Sequence, residues 1–460
     1  MWIISFYIIL LLWATVFFYF LLRASQKNNY ILWVAGIVPL ILMLVYGIGG
    51  AFLLNYEPKD KYWLYQVYFT NFDLLCILIY SVVASIVYYA GFLLFGRSKL
   101  DKKSLLENWS NQLSIDIKKI KRVAIILLIF DLFVRFVELT SGVYFDWLSA
   151  FVKGLPWWKT SLFQIKSSLV PILGVCLYLC SREKRWAKLS LTVLFILVLM
   201  EGDRSNFWIF LIPIVIAYFY FNRKQISIKL VVCVFFILIA FFGFIGPIIQ
   251  EVRYEVRDDY RIILNDPVKL PAKLFTEYIP TAITFSRLYG DDSRRQYGGG
   301  LKERFIRWPA FWASINAKIW DGKPFRGLEN MIRTMTMVVP SVFYPGEKPE
   351  IKAGPENLTW YNLFVSSNDP TSTVFQDVFA IGGILGLIGF SFIYGSLYGL
   401  FVRFLVAYWK SFGVIMVFGL LNLVIITHDS FGTVFVRFRD AILIIFLLVF
   451  LYKMPRFRFK

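Results

Sequence analysis

Six largely polar residues, Glu201-Gly202-Asp203-Arg204-Ser205-Asn206, separate two apolar stretches. A turn needs Gly, Asp, Ser or Asn; it has no need of Arg. An arginine at the edge of a membrane span is costly without an anionic partner, and its planar fork bonds two phosphate oxygens at once. Arg204 is therefore a candidate phosphate ligand, with an internal pair to Asp203 or Glu201 as the alternative. Further on come Glu251, Arg253, Glu255, Arg257 and Arg261. On a helix, Arg253 and Arg257 share one face at i and i+4 and suit a diphosphate, while Glu251, Glu255 and Asp258 are placed to neutralise them. A proline-rich turn around Pro345-Gly346 and Pro349 presents Lys348. Last comes Thr427-His428-Asp429-Ser430-Phe431-Gly432-Thr433, followed by Arg437, Arg439 and Asp440. His428, the only histidine, stands beside Asp429; either is a candidate general base near neutral pH. Arg437 and Asp440 read either as a buried ion pair or as an Arg facing a polar cavity.

These residues have to be positioned by membrane helices. The 460-residue chain is 58% hydrophobic and 17% charged, far from the composition of a soluble domain. Apolar runs long enough to cross a bilayer recur at roughly 2–22, 31–54, 72–95, 123–139, 162–180, 189–202, 206–221, 229–250, 374–402, 411–428 and 434–452. The runs at 189–202 and 206–221 are short enough to form one helical hairpin with a shallow turn. The expected fold is thus all-α, a polytopic membrane protein of about eleven transmembrane helices. Three parts follow: helices 1–8 over 1–250, a large loop over 251–373, and helices 9–11 with a basic tail over 374–460. Trp2 to Leu22 lacks a basic start and a small-residue cleavage site, and reads as a retained helix.

The net charge of +19 does not signal nucleic acid, because its position is that of a topology signal. The loops at 23–29, 97–122, 181–188, 222–229 and 403–410 and the tail 453–460 hold 23 Lys and Arg, against about six in the alternate short loops when Lys166 is counted with them. The positive-inside bias puts the C-terminus in the cytoplasm and the N-terminus outside. The 251–373 loop then lies on the outer face. Its 17 basic and 15 acidic residues nearly cancel. Within it, Leu301 to Trp320 carries Phe305, Trp308 and Trp312 at helical spacing, which suits an amphipathic helix on the membrane surface. Cys76, Cys176, Cys180 and Cys233 all fall inside spans and read as apolar fillers. Asp73, Asp131, Arg135 and Glu138 also fall inside spans, the one feature that suits a transport path.

Taken in order, these segments resemble the Wzy-type polymerases of lipid-linked oligosaccharide repeat units, which include the O-antigen and enterobacterial common antigen polymerases. The resemblance rests on Gly202-Asp203-Arg204 after a span, Pro340-Ser341, Pro345-Gly346 and Pro349 in the large loop, Ser372-Thr373 before a helix with Gly382-Gly383, and Asp429-Ser430-Phe431 before a last span with Arg437. It covers the second half of the chain and the 190–222 hairpin; His428 departs from the pattern.

The resemblance implies a GT-C-like membrane glycosyltransferase of the metal-independent branch, without cofactor. It would work at the outer face of the bacterial inner membrane on undecaprenyl diphosphate-linked oligosaccharides, beside a chain-length-regulating co-polymerase. Arg204, Arg253, Arg257, Arg437 and Lys348 would bind the diphosphate, Asp429 or His428 would act as base, and Asp203, Glu251 and Ser430 would support them. Trp308, Trp312, Trp320 and Trp360 are available as sugar platforms, though core burial or membrane anchoring is their commoner role. The first outer loop, Tyr56-Glu57-Pro58-Lys59-Asp60-Lys61, mixes two separated acids with lysines and makes a poor metal site. An O-antigen ligase-like transferase and a flippase of lipid-linked glycans are the rival expectations.

Overall fold

The structure, a computed structural model, describes residues 2–26, 30–54, 69–96, 116–141, 155–201, 204–222, 301–336, 373–420 and 431–453, with single positions at 273, 276, 277, 280, 339, 344, 357, 360, 361 and 363. Every regular element among the described residues is a helix. In chain order these are α1 (Trp2–Gln26), α2 (Tyr30–Leu42), α3 (Gly49–Leu54), α4 (Asn71–Gly96), α5 (Ile117–Thr140), α6 (Trp157–Ser181), α7 (Arg185–Met200), α8 (Arg204–Asn222), α9 (Leu301–Trp320), α10 (Leu328–Met335), α11 (Val374–Gly419) and α12 (Phe431–Lys453). A π-helical stretch, Met43–Ile48, joins α2 to α3, four residues after Pro39 removes an amide from the ladder.

Among the described residues, five segments are long and apolar enough to cross a bilayer: Trp2–Arg23, Val34–Leu54, Asn71–Gly96, Ser161–Ser181 and Val374–Trp409. Their outward residues are large and apolar, as Leu11 at 70% exposed and Ile86 at 62% illustrate, which is what lipid rather than water asks of a surface. The protein is therefore an all-α, membrane-embedded chain.

One compact unit comprises residues 1–112, 294–410 and 423–442. Two of its helices, α4 and α11, begin on reciprocal caps of the Thr-x-x-acid or amide type. At α4, the Asp73 carboxylate accepts from the Thr70 amide at 2.8 Å and the Thr70 hydroxyl at 2.7 Å. At α11, Gln376 Oε1 accepts from the Thr373 amide at 2.7 Å. Both caps also tie α9 in: Asn316 donates to Asp73 at 2.9 Å, and Gln376 donates to the Trp308 carbonyl at 2.6 Å. Here the expectation of a surface helix is corrected. Ala310, Phe311, Trp312, Ala313, Ser314, Ile315 and Asn316 are all buried. Small residues on this turn let neighbours approach closely, and Trp312 meets Tyr46 at 4.7 Å and Phe379 at 5.6 Å.

α11 corrects a second expectation. The loop placed at 403–410 is helical, and α11 runs for 46 residues without interruption at that point. Its irregularity lies elsewhere, at Gly383, where φ is +61°. The neighbouring Ala380 carbonyl accepts from the Arg326 amide and the Tyr361 hydroxyl, each at 2.9 Å, and the Ile381 carbonyl from the Gly327 amide at 3.0 Å. Irregular backbone in a span is tolerated only where protein covers it, and the 324–327 segment supplies that cover.

The second unit comprises residues 113–293, 411–422 and 443–460. α6 is its central helix and packs against α5, α7 and α8. Asp116 caps α5 by accepting from the Lys119 amide at 3.2 Å. Val134, Val137 and Phe163 form a small apolar cluster at one end of the α5–α6 contact.

Candidate functional site

In the second unit, α5 carries Asp131, Arg135 and Glu138 at i, i+4 and i+7. This spacing puts all three on one helical face. All three are buried, whereas Ile129, Leu132, Phe133 and Phe136 are exposed. α6 brings Lys166, 6% exposed, to the same place, and Glu201, 9% exposed, follows directly on α7.

The five side chains form one alternating chain of acids and bases. Asp131 accepts from Arg135 Nε at 2.8 Å. Arg135 donates through its Nη1 to Glu201 Oε1. The same Glu201 oxygen accepts from Lys166 Nζ at 2.9 Å, and Lys166 also donates to Glu138 at 2.6 Å. Glu201 thus sits between two cations, and each cation is held from behind by a second carboxylate. Interactions of this kind are strong at low dielectric, and removing one partner leaves a buried charge uncompensated. A cavity of about 20 Å³, room for roughly one water, adjoins them and is lined by Lys166, Ser167, Val170, Pro171, Val198, Glu201 and Ile209.

Lys166 is therefore corrected: it is an internal ligand of two carboxylates in a helix, not a loop charge reporting topology. The sequence carried the signal for this centre. Charges spaced i, i+4 and i+7 inside an apolar helix must face protein together, and they then call for opposite charges from neighbouring helices.

Arg204 is the first residue of α8, three positions after Glu201. Arg437 lies on α12 and is partly exposed. Asp440 takes hydrogen bonds from Arg439, at 2.7 and 2.9 Å, so of the two readings of Arg437 and Asp440 the buried pair between them gives way to a pair between adjacent residues. Asp203, Glu251, Arg253, Arg257, Lys348, His428, Asp429 and Ser430 lie outside the described residues. Of the candidate sugar platforms, Trp312 is core. Trp320 is exposed, and Trp360 is partly exposed with its indole N–H on the Pro324 carbonyl at 2.9 Å.

The first unit holds a second buried polar centre. Arg326 donates to Asn357 at 2.7 Å and to Asp377 at 3.1 Å, and the Tyr46 and Thr373 hydroxyls are hydrogen-bonded to each other at the start of α11. These contacts pin the 324–327 segment and α11 together, and they read as structural.

No family model, no curated protein and no solved structure matches the chain.

Proposed function

We propose that this chain is a polymerase of polyprenyl-diphosphate-linked oligosaccharide repeat units, working metal-independently at the outer face of a bacterial inner membrane. In this reading it is polytopic, with a GT-C-like fold and a cytoplasmic C-terminus. The observation that carries the reading is the position of Arg204. It opens an apolar helix three residues after Glu201, whose carboxylate is already engaged by Arg135 and Lys166. An arginine at that place stands three residues after a carboxylate held by two cations, and guanidinium forks suit diphosphates.

The reaction transfers a growing glycan. The acceptor hydroxyl of a new lipid-linked repeat unit forms a bond to the anomeric carbon of the donor glycan, and the bond from that carbon to the diphosphate oxygen breaks. Arg204, Arg253, Arg257, Arg437 and Lys348 stabilise the negative charge left on the diphosphate. Asp429 or His428 takes the hydroxyl proton, while Asp203, Glu251 and Ser430 support these groups. The carrier is undecaprenyl diphosphate, and a chain-length-regulating co-polymerase is the expected partner.

The buried charges Asp131, Arg135 and Glu138 within α5 also suit a transporter of lipid-linked glycans, since ionisable groups inside a membrane commonly mark transport paths. Product form separates these readings. In proteoliposomes supplied with lipid-linked repeat units, a polymerase yields products in multiples of the repeat on carrier lipid. A ligase yields one block transfer to another acceptor, and a flippase yields unchanged substrate in the opposite leaflet.

A further inference from the structure

We propose that Arg135 and Lys166 are positioning residues for the diphosphate subsite, acting through Glu201, which stands three residues before Arg204. The inference rests on the reading of Arg204 as a diphosphate ligand and adds to it the device that fixes its place.

Glu201 is where the chain leaves α7: its amide still donates to the Leu197 carbonyl at 3.2 Å, closing the last helical turn. Arg204, three residues later, starts α8. Among the described residues, the Glu201 side chain is the last tie to the rest of the unit before Arg204. A single carboxylate oxygen accepts from cations on two different helices, α5 and α6. Two such tethers from separate helices fix the position of the carboxylate, where one would allow it to swing.

The outer acids complete the device. Asp131 holds Arg135 through Nε one turn away on the same helix, so the guanidinium plane is set before Glu201 meets it. Glu138 holds Lys166 from its other side. Five buried charges are more than a short turn needs for stability, because well-packed apolar residues of similar size commonly do as well. What the charges add is directional register. For a guanidinium that binds two oxygens at once, a displacement on the order of 1 Å is costly to function.

The test uses the full chain in detergent, with a sugar-free polyprenyl diphosphate as binding probe, beside elongation of lipid-linked repeat units in liposomes. Glu201→Gln keeps volume and one acceptor oxygen but removes the charge both cations hold. It is expected to weaken probe binding about tenfold, and Glu201→Gln combined with Arg204→Ala is expected to bind no more weakly than Arg204→Ala alone, since coupled residues are non-additive. Lys166→Arg, which keeps the charge, is expected to bind within about threefold of the parent. Should Glu201→Gln not fold, Arg135→Lys, which lacks the fork that reaches Asp131 and Glu201 together, is measured instead with the same expectation. Full additivity of the Glu201 and Arg204 losses, or parental affinity in Glu201→Gln, overturns the positioning role while elongation by the parent leaves the polymerase reading standing. A parent that neither binds the probe nor elongates overturns both.

Discussion

Glu201 accepts from Arg135 and from Lys166 at 2.9 Å with under a tenth of its surface exposed, so each member of this centre is worth most in the company of the others. Arg135→Leu leaves Asp131, Glu138 and Glu201 around Lys166 alone. It is expected to cost about 3–5 kcal/mol, the usual loss when one partner of a buried pair is removed. The buried thiols of Cys76, Cys176 and Cys180 give the readout: a thiol-reactive dye during heating should report them at a clearly lower temperature in the variant. An unchanged melting profile would mean that Arg135 is solvated, contrary to its burial. The candidate site was only half legible in sequence at this scale. Asp131, Arg135 and Glu138 were visible as charges inside a span, yet their partners Lys166 and Glu201 come from other helices, and pairing between helices has no local signature. Lys166, within the 162–180 run, was also counted with the short-loop charges, because hydropathy alone cannot tell a charge beside a span from one inside it.

Elements were read more surely than pairs. The apolar runs at 2–22, 72–95, 162–180 and 206–221 became Trp2–Gln26, Asn71–Gly96, Trp157–Ser181 and Arg204–Asn222, because a chain crossing lipid must satisfy its backbone within each helix. The reading failed where charge was mistaken for a break. The stretch 403–410 fell between two apolar runs and was placed as a loop, but Arg and Lys are good helix formers and end in flexible stems that carry the charge away from the apolar surface. It failed again at α9, whose aromatic stripe suits a membrane surface and a core equally well. Two variants test how the elements meet. At Gly395 an added Cβ would stand 2.0 Å from the Tyr88 carbonyl of α4, with backbone on both sides. Gly395→Val is therefore expected to cost at least about 1–3 kcal/mol, the range for overpacking, or to prevent accumulation of folded protein. At Gly383 the positive φ and the Phe325 ring, 2.6 Å from an added Cβ, penalise any side chain. Gly383→Ala is expected to lower stability by about 1–2 kcal/mol, checked by the same dye. Arg326→Ala should destabilise further, since it leaves the Asp377 carboxylate buried and short of its cation.

For the whole molecule, the account joins an all-helical membrane chain to a transfer reaction at its outer face. The proposed orientation rests on where Lys and Arg accumulate, a rule that acts during insertion and leaves no trace in helix packing. Cysteines introduced singly into the tail after Lys453 and ahead of Trp2, in a background without the native thiols, should react with a membrane-impermeant reagent from opposite sides. Labelling of both ends from one side would remove an odd span count. The central claim is chain growth through Arg204, and the most direct measurement is a gel of lipid-linked products from the purified protein in liposomes, run beside Arg204→Ala. The account predicts a ladder of repeat-unit multiples from the parent, undiminished by a chelator, and starting material alone from the folded variant. A ladder of equal length from Arg204→Ala, or no elongation by the parent, would contradict it.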